Sequence, residues 1–356
     1  MEPREANYTS QTVWVVEDQE EDVPEDPEVL VLRLIYLIVT KYSWIVIVPI
    51  GLFGNVMAII VTLQKDNRRI STCNYMTALA LADSNTLLVL AWGMVLMSWR
   101  TDPPTEFAMQ MNWYQGYASA VLSGFCLAEM TIDRLIVVRF PMAAPRLCTT
   151  RRACVTILVT FAVVFGLNLY IFFSYVYEFN EETGEGLLKM SVPHAPELET
   201  LGNTAQLAIG TILPFCIIVT CNIWIIVVLR NASKSREIMG VSKDGQKARE
   251  KETTHLTRML ILVSIAYVVT SIPFRLWEVS MSIHEVNKQY DMNEEYWKLR
   301  FYCQHFIILQ FWELNYAINF YLYCIGGGKK YRDDIRNRLG KVFLCLSPKS
   351  FGERRQ

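Results

Sequence analysis

Apolar residues fall along this chain in long uninterrupted blocks, separated by short charged stretches. Residues 42–64, 84–99, 107–128, 153–177 and 200–229 contain no charged side chain. Two further runs carry isolated charges: 259–283, with Arg275 and Glu278, and 301–328, with Glu313. About 20 apolar residues in helical form cross the hydrocarbon core of a bilayer. With their flanks, the seven runs predict helices over 33–64, 72–98, 106–139, 150–176, 202–230, 252–282 and 300–325. An eighth segment, "KKYRDDIRNRLGKVF", places Tyr331, Ile335, Leu339 and Phe343 at four-residue steps, the pattern of a helix lying on a membrane surface. The predicted fold class is therefore an all-α membrane protein, a seven-transmembrane helix bundle with a short cytoplasmic amphipathic eighth helix. Its parts are an acidic extracellular tail (1–32), the bundle (33–327), and the amphipathic helix with its tail (328–356).

Charge orients the bundle. One set of run ends carries Lys65, Arg68 and Arg69, then Arg139, Arg146, Arg151 and Arg152, then Arg230, Lys234 and Arg236, and finally Lys329, Lys330 and Arg332. The other set is acidic, from Glu17 to Glu28, from Glu178 to Glu199, and from Glu285 to Glu295. Basic loops stay in the cytoplasm, so the N-terminus is expected outside and the C-terminus inside. Asn7-Tyr8-Thr9 is a glycosylation acceptor on the outer side, while Asn231-Ala232-Ser233 faces the cytoplasm and is discounted. No basic and apolar leader opens the chain, so the first apolar run is expected to direct insertion.

Composition agrees with this reading, at 52% hydrophobic and 19% charged over 356 residues. Nine cysteines are present, but most lie in apolar runs or basic loops, and Cys303 near an outer end has no obvious partner. A disulfide scaffold is not expected. The histidines, His194, His255, His284 and His305, show no metal-ligand spacing, and no nucleophile–base–acid set is visible. No enzyme activity and no nucleic-acid partner are expected. Gly326-Gly327-Gly328 lacks a surrounding phosphate-loop pattern and reads as a hinge.

Several marks then occur in order on successive runs: Gly54-Asn55-Val56, "LALAD" ending at Asp83, Asp133-Arg134-Leu135, Pro214, Pro273, and "NYAINFYLY". Together they resemble the rhodopsin-like G-protein-coupled receptors over nearly the whole chain. The resemblance implies that Asp133, Arg134 and Tyr323 form the cytoplasmic switch, with Arg134 leaving its acid on activation and contributing to the cavity for a heterotrimeric G protein. An acid and an arginine together at a membrane boundary offset each other's burial cost; an arginine snorkelling to headgroups is the plainer reading. The resemblance also gathers Asp83, Asn55, Ser123, Asn315 and Asn319 into a polar pocket. Their oxygens suit a hard cation such as sodium, and a hydrogen-bonded network without an ion is the alternative. No other cofactor is expected.

The ligand is read from what the outer half of the bundle carries. The position eighteen residues before Arg134, acidic in aminergic receptors, is Gly116, and the retinal lysine of visual pigments corresponds to Glu313. Glu313, Arg275 and Glu278 are the candidate ligand contacts, together with Gly116; mutual neutralisation of Glu313 and Arg275 is the alternative. Residues 1–29 hold ten acids and one arginine, a field that attracts cations. A peptide bearing Arg or Lys is the expected ligand. "NFYLYC", with Phe320 where most of the family has proline, "GGKKYR", "RFPMAAPRLCTTRRA" and "THLTRMLILVS" are similar to invertebrate peptide receptors of the FMRFamide type.

The chain also departs from the family pattern. Met109 and a cysteine-free stretch over 177–201 replace the usual outer disulfide. Ser271 stands for the helix-six tryptophan, leaving Tyr267 or Phe274 to build the toggle. Asn222 replaces a tyrosine, helix four lacks its tryptophan, and Thr253 stands where an acid would lock Arg134. Cys345, after the amphipathic segment, is a candidate palmitoylation site in contact with membrane lipid, or an unmodified thiol. A divergent orphan or chemosensory receptor for a small ligand is one alternative. A transporter or channel using Asp83, Glu313, Arg275 and Glu129 is the other, although no inverted repeat is visible.

Overall fold

The computed structural model describes residues 11–13, 27–98, 105–180, 185–190, 201–239, 247–287 and 295–326, apart from 66 and 203, together with 333 and 336. Seven long helices run through these residues. Helix α1 is Pro27–Thr62, α2 Ser71–Ser98, α3 Glu106–Arg139, α4 Thr150–Leu167, α5 Leu213–Met239, α6 Lys247–Asn287 and α7 Glu295–Gly326. Helix α1 contains a π turn at Ile38–Tyr42, and another, Gln206–Ile212, leads into α5. That second turn lies just before Pro214, whose missing N–H leaves the preceding turn without its regular bond. Helices α3 and α4 start where a threonine side chain can satisfy a first-turn amide: Thr105 accepts from Ala108 N and Thr149 from Arg152 N.

Helix α3 forms the axis, contacting α2, α4, α5 and α6, and α7 closes the ring by packing on α1, α2 and α6. The α1–α7 seam is tight. A Cβ on Gly51 would lie 2.9 Å from the Ala317 backbone, so glycine permits that approach. Along the same seam Asn55 Nδ2 donates to Tyr316 O (3.1 Å), Tyr321 Oη to Ile50 O (2.9 Å) and the Cys303 thiol to Leu32 O (3.2 Å).

Large apolar side chains point out of the bundle, among them Leu158 and Phe161 on α4, Ile223 and Trp224 on α5, and Ile265 and Val269 on α6. Water would not tolerate so continuous an apolar exterior, and a bilayer is its natural solvent. The chain is a helical membrane protein. Segments Pro27–Thr62, Ser71–Val95, Thr150–Phe173, Gln206–Ala232 and Thr257–Trp277 are long and apolar enough to cross a membrane. Helices α3 and α7 are less apolar because much of their surface meets protein: α3 buries most positions from Ala118 to Arg134, so polar side chains there cost less than they would against lipid.

Helix α4 gives way to a 3-10 turn at Asn168–Tyr170 and a last turn at Ile171–Ser174. Strand β2, Tyr175–Asn180, follows and pairs antiparallel with β3, Glu185–Met190, in the register Tyr175↔Met190 to Asn180↔Glu185. The amino-terminal segment Gln11–Val13 forms strand β1 on the far edge of β3, giving the order β1-β3-β2. Strand β2 packs on α3. Within the cysteine-free stretch 177–201, the described residues are thus held by main-chain hydrogen bonds, an outcome the hydropathy pattern did not announce. The amphipathic segment after α7 lies outside the described residues except Asp333 and Arg336, which are helical.

Candidate functional site

Two buried polar clusters lie along α3, and an aromatic cluster flanks α7 towards the sheet end. At the opposite end, Asp133 accepts from Ser71 Oγ at 2.8 Å and from Thr72 Oγ1 at 2.5 Å. Both donors sit in the first turn of α2, so the short α1–α2 connection sets them against α3. Arg134 Nη2 donates to the same Thr72 oxygen. The adjacent acid and arginine therefore meet through Thr72, which gives its proton to one and its lone pair to the other. Both are 5% exposed, and Arg134 Nε has no hydrogen-bond partner. A buried guanidinium left partly unsatisfied is a stored cost that a better partner can release. Tyr323 is fully buried on α7. Neither Ser71 nor Thr72 was singled out in the sequence; the signal was present, because a Ser-Thr pair opening a helix after a basic loop supplies hydroxyl groups at its start.

Midway along the bundle Asp83 has no exposed surface. It accepts from Ser123 Oγ on α3 at 2.5 Å and from Asn319 Nδ2 on α7 at 2.7 Å. One carboxylate thereby joins three helices. Asn55 is instead committed to the α7 backbone at Tyr316, and its Oδ1 is buried without a partner. Asn315 is buried too. Beside this group, Thr86 Oγ1 donates to Ser119 Oγ at 3.0 Å, continuing the polar strip between α2 and α3. Among the described residues no three His, Cys, Asp or Glu side chains gather as a metal site. The carboxylate, the Ser123 hydroxyl and the orphaned Asn55 oxygen are chemically suited to a weakly held alkali cation.

A family model for the seven-transmembrane receptors of the rhodopsin family matches residues 54–318. The chain belongs to that family.

Curated relatives of this receptor include the thyrotropin-releasing hormone receptor of Gallus gallus, 28% identical over 33% of this chain and 30% of the relative. The somatostatin receptor type 2 of Mus musculus is 24% identical over 68% of this chain and 63% of the relative. The thyrotropin-releasing hormone receptor of Bos taurus is 27% identical over 35% of this chain and 31% of the relative. The chain spans less than two thirds of each relative's length. The family consists of receptors rather than enzymes, and its members are multi-pass proteins of the plasma membrane.

On the sheet side of Asp83, the receptor builds an aromatic wall between α6 and α7. Phe274 stacks on Trp312 with centroids 4.9 Å apart and planes 20° apart, and Trp312 meets Tyr316 edge-on at 5.1 Å. The Arg275 guanidinium lies 5.4 Å from the Phe274 ring centre and 5.8 Å from that of Trp312, a cation–π distance in both cases. Glu313 is only 3% exposed and hydrogen-bonds with Gln310. Gly116 faces Val89, and a Cβ there would find ordinary contact at 3.4 Å. Tyr267 crosses to α3, where a Cβ on Gly124 would approach its hydroxyl at 3.1 Å. From α6, Phe274 therefore packs against α7 and Tyr267 against α3, while Ser271, at the position of the family's tryptophan, is buried with an unpartnered hydroxyl. Trp312 was missed because an aromatic in an apolar run carries no distinguishing mark.

Met109 is buried at the sheet end of α3, and the described cysteines form no disulfide. Glu278 and Thr253 lie on α6, but their side chains are outside the described residues, as are Asn7 and Cys345 altogether. Glu129 on α3 accepts from Thr160 of α4, and its Oε2 is buried without a partner.

Proposed function

We propose that this receptor converts binding of an extracellular, cationic peptide into nucleotide exchange on a heterotrimeric G protein. In this reading all seven helices cross the plasma membrane, the sheet faces outside and the Asp133–Arg134 end faces the cytoplasm. The observation that carries it is the Thr72 bridge: a buried guanidinium held beside its acid through one hydroxyl, at the bundle mouth. Withdrawal of α6 from α3 would let Arg134 exchange Thr72 for a partner entering that mouth. The Asp83 cluster joins α2, α3 and α7, so a shift of α7 at the aromatic wall reaches the switch through packed groups. Sodium at Asp83 would favour the arrangement in which these helices converge.

A peptide ligand is supported by relatives that are themselves named as receptors for thyrotropin-releasing hormone and somatostatin. A cationic one is supported by the acids of the tail and of the second outer loop. The motifs around Phe320 favour a ligand of the FMRFamide class. Glu313 and Arg275 flank the aromatic wall, Glu313 as the counter-charge and Arg275 as the organiser of the rings. The test is ligand-dependent GTPγS binding in membranes holding the chain and a panel of G proteins, screened with cationic and neutral peptides. Exchange driven by cationic peptides is the expected result; substrate or ion flux without exchange overturns the reading.

A further inference from the structure

The faces of α4 and α5 that turn away from the aromatic wall enclose a groove of about 150 Å³ that no part of the signalling route uses. Its lining includes Val121 and Phe125 of α3, Val163 and Asn168 from the α4 side, and Gln206 and Gly210 from the α5 side. Both walls leave regular α geometry at this level: α4 passes into its 3-10 turn at Asn168, and α5 is preceded by the π turn that contains Gln206 and Gly210. The groove follows from those two irregularities. It opens between side chains that face the bilayer, Val163 being 52% and Ile209 40% exposed.

One lining group is out of keeping with an apolar cleft. Asn168 is 5% exposed; its Nδ2 donates to Val164 O at 2.8 Å, but its Oδ1 has no partner. A buried carbonyl oxygen in a membrane is costly unless a donor reaches it. Gln206 is already engaged, accepting from Tyr170 Oη at 3.0 Å. Asn168 lies eighteen residues beyond Thr150, roughly 27 Å along the helix at 1.5 Å per residue. In a core about 30 Å thick that places the free acceptor near one membrane boundary. The groove then descends to Thr160, roughly 12 Å further into the core.

We infer that this groove binds a sterol, with its hydroxyl donating to Asn168 Oδ1 and its rings lying against the α4–α5 cleft. Among the described residues the lining contains no Lys or Arg to hold a phosphate, and a single unmet acceptor. A molecule with one hydroxyl on a rigid apolar body matches that inventory, whereas a glycerophospholipid headgroup leaves its charge unpaired. The enclosed volume is close to that of engineered cavities that take up benzene, about 150 Å³. The site thus accommodates the ring bearing the hydroxyl and leaves the rest of the molecule in the bilayer. Occupancy would tie α4 to α5 beside α3.

The experiment uses the full chain in lipid nanodiscs with a photoreactive sterol, and adducts are mapped by mass spectrometry. Adducts are expected within 159–170 and 205–210, displaced by unlabelled sterol and poorly by its hydroxyl epimer or by monoacylglycerol. Asn168→Leu should reduce labelling about three- to tenfold, the range of one hydrogen bond within a membrane. Val163→Phe, a substitution on an exposed rim position, should block it without disturbing the core. Gly166→Ala, whose Cβ meets nothing within 4 Å, serves as the unaffected control. Labelling spread evenly over all lipid-facing helices, monoacylglycerol competing as well as sterol, or full labelling of Val163→Phe each overturns the assignment. Signalling is not read, so the outcome is independent of the proposed ligand and G protein.

Discussion

Thr72 on α2 donates its hydroxyl to Asp133 on α3 at 2.5 Å, and the same oxygen accepts from Arg134. Removing that one oxygen unsettles both charges at once. Thr72→Val leaves Asp133 with Ser71 alone and deprives Arg134 Nη2 of its acceptor. A hydrogen bond to a charged group contributes about 1.5–3 kcal/mol, so ligand-independent exchange should rise about tenfold or more. GTPγS binding at matched surface expression checks this; basal exchange at or below the parent level contradicts the bridge as a restraint.

Ser123→Ala strips Asp83 Oδ1 of its donor in a site with no exposed surface. The expected loss is about 1–3 kcal/mol, visible as a Tm several degrees lower in detergent. Sodium chloride should raise the Tm of the parent above the effect of an equal concentration of choline chloride. Asp83→Asn should abolish that difference; its persistence would remove Asp83 from any ion site.

Glu313 is too buried for charge reversal to be a clean test, since a lysine there would place an ammonium among aromatic rings. Glu313→Gln keeps the shape and a hydrogen bond to Gln310. Potency of cationic peptides should fall about tenfold, the effect of one counter-charge at roughly 1.4 kcal/mol, with neutral peptides unchanged. Equal loss for both classes points to a packing role instead.

Phe274→Ala removes the ring that stacks on Trp312 and lies beneath Arg275. Large-to-small changes of this kind cost about 3–5 kcal/mol when the cavity does not collapse. Maximal ligand response should drop more than surface expression does, whereas Phe274→Tyr should restore both. A response that simply tracks expression denies the wall a part in transmission.

Cys148, in the connection between α3 and α4, donates its thiol to the Asp133 carbonyl at 3.6 Å. Burial, and then the Asp133 carboxylate, push the thiol up to about 12. Thiolate is the reactive form, so at neutral pH maleimide labelling should be slow, and it should quicken as pH approaches that value. Asp133→Asn removes one of the two causes and should speed labelling at pH 8, read by mass spectrometry of the 140–150 peptide. An unaltered rate would place the carboxylate's influence elsewhere.

The helices were legible because a bilayer demands long charge-free runs, and this demand leaves its mark whatever the packing. Helix α3 ends at Arg139, where the charge pattern turns. Helices α5 and α6 extend to Met239 and from Lys247, beyond their apolar runs, because backbone helicity outlasts the membrane where polar helix formers follow. The Asp83–Ser123–Asn319 contact followed from resemblance and from the cost of a lone buried acid. Thr72 was not legible in the same way, since its role arises from how two helices meet rather than from its own segment. The sheet was hidden for a related reason: β2 continues an apolar run without a break, so its first residues read as the end of a helix. The free oxygen of Asn168 shows only once α4 has departed from regular geometry.

The pairing of Gln11–Val13 with β3 has a mechanical consequence for how the chain is tethered. Thr12 faces Leu187 and Val13 faces Gly186 in the sheet, while Pro27 opens α1, so the chain is fastened to the bundle at two points before its first long helix. Strand β1 adds an edge to β3, whose other edge carries β2, and β2 rests on α3. Cutting the chain between Val13 and Pro27 would leave β1 attached by its ladder of main-chain hydrogen bonds alone.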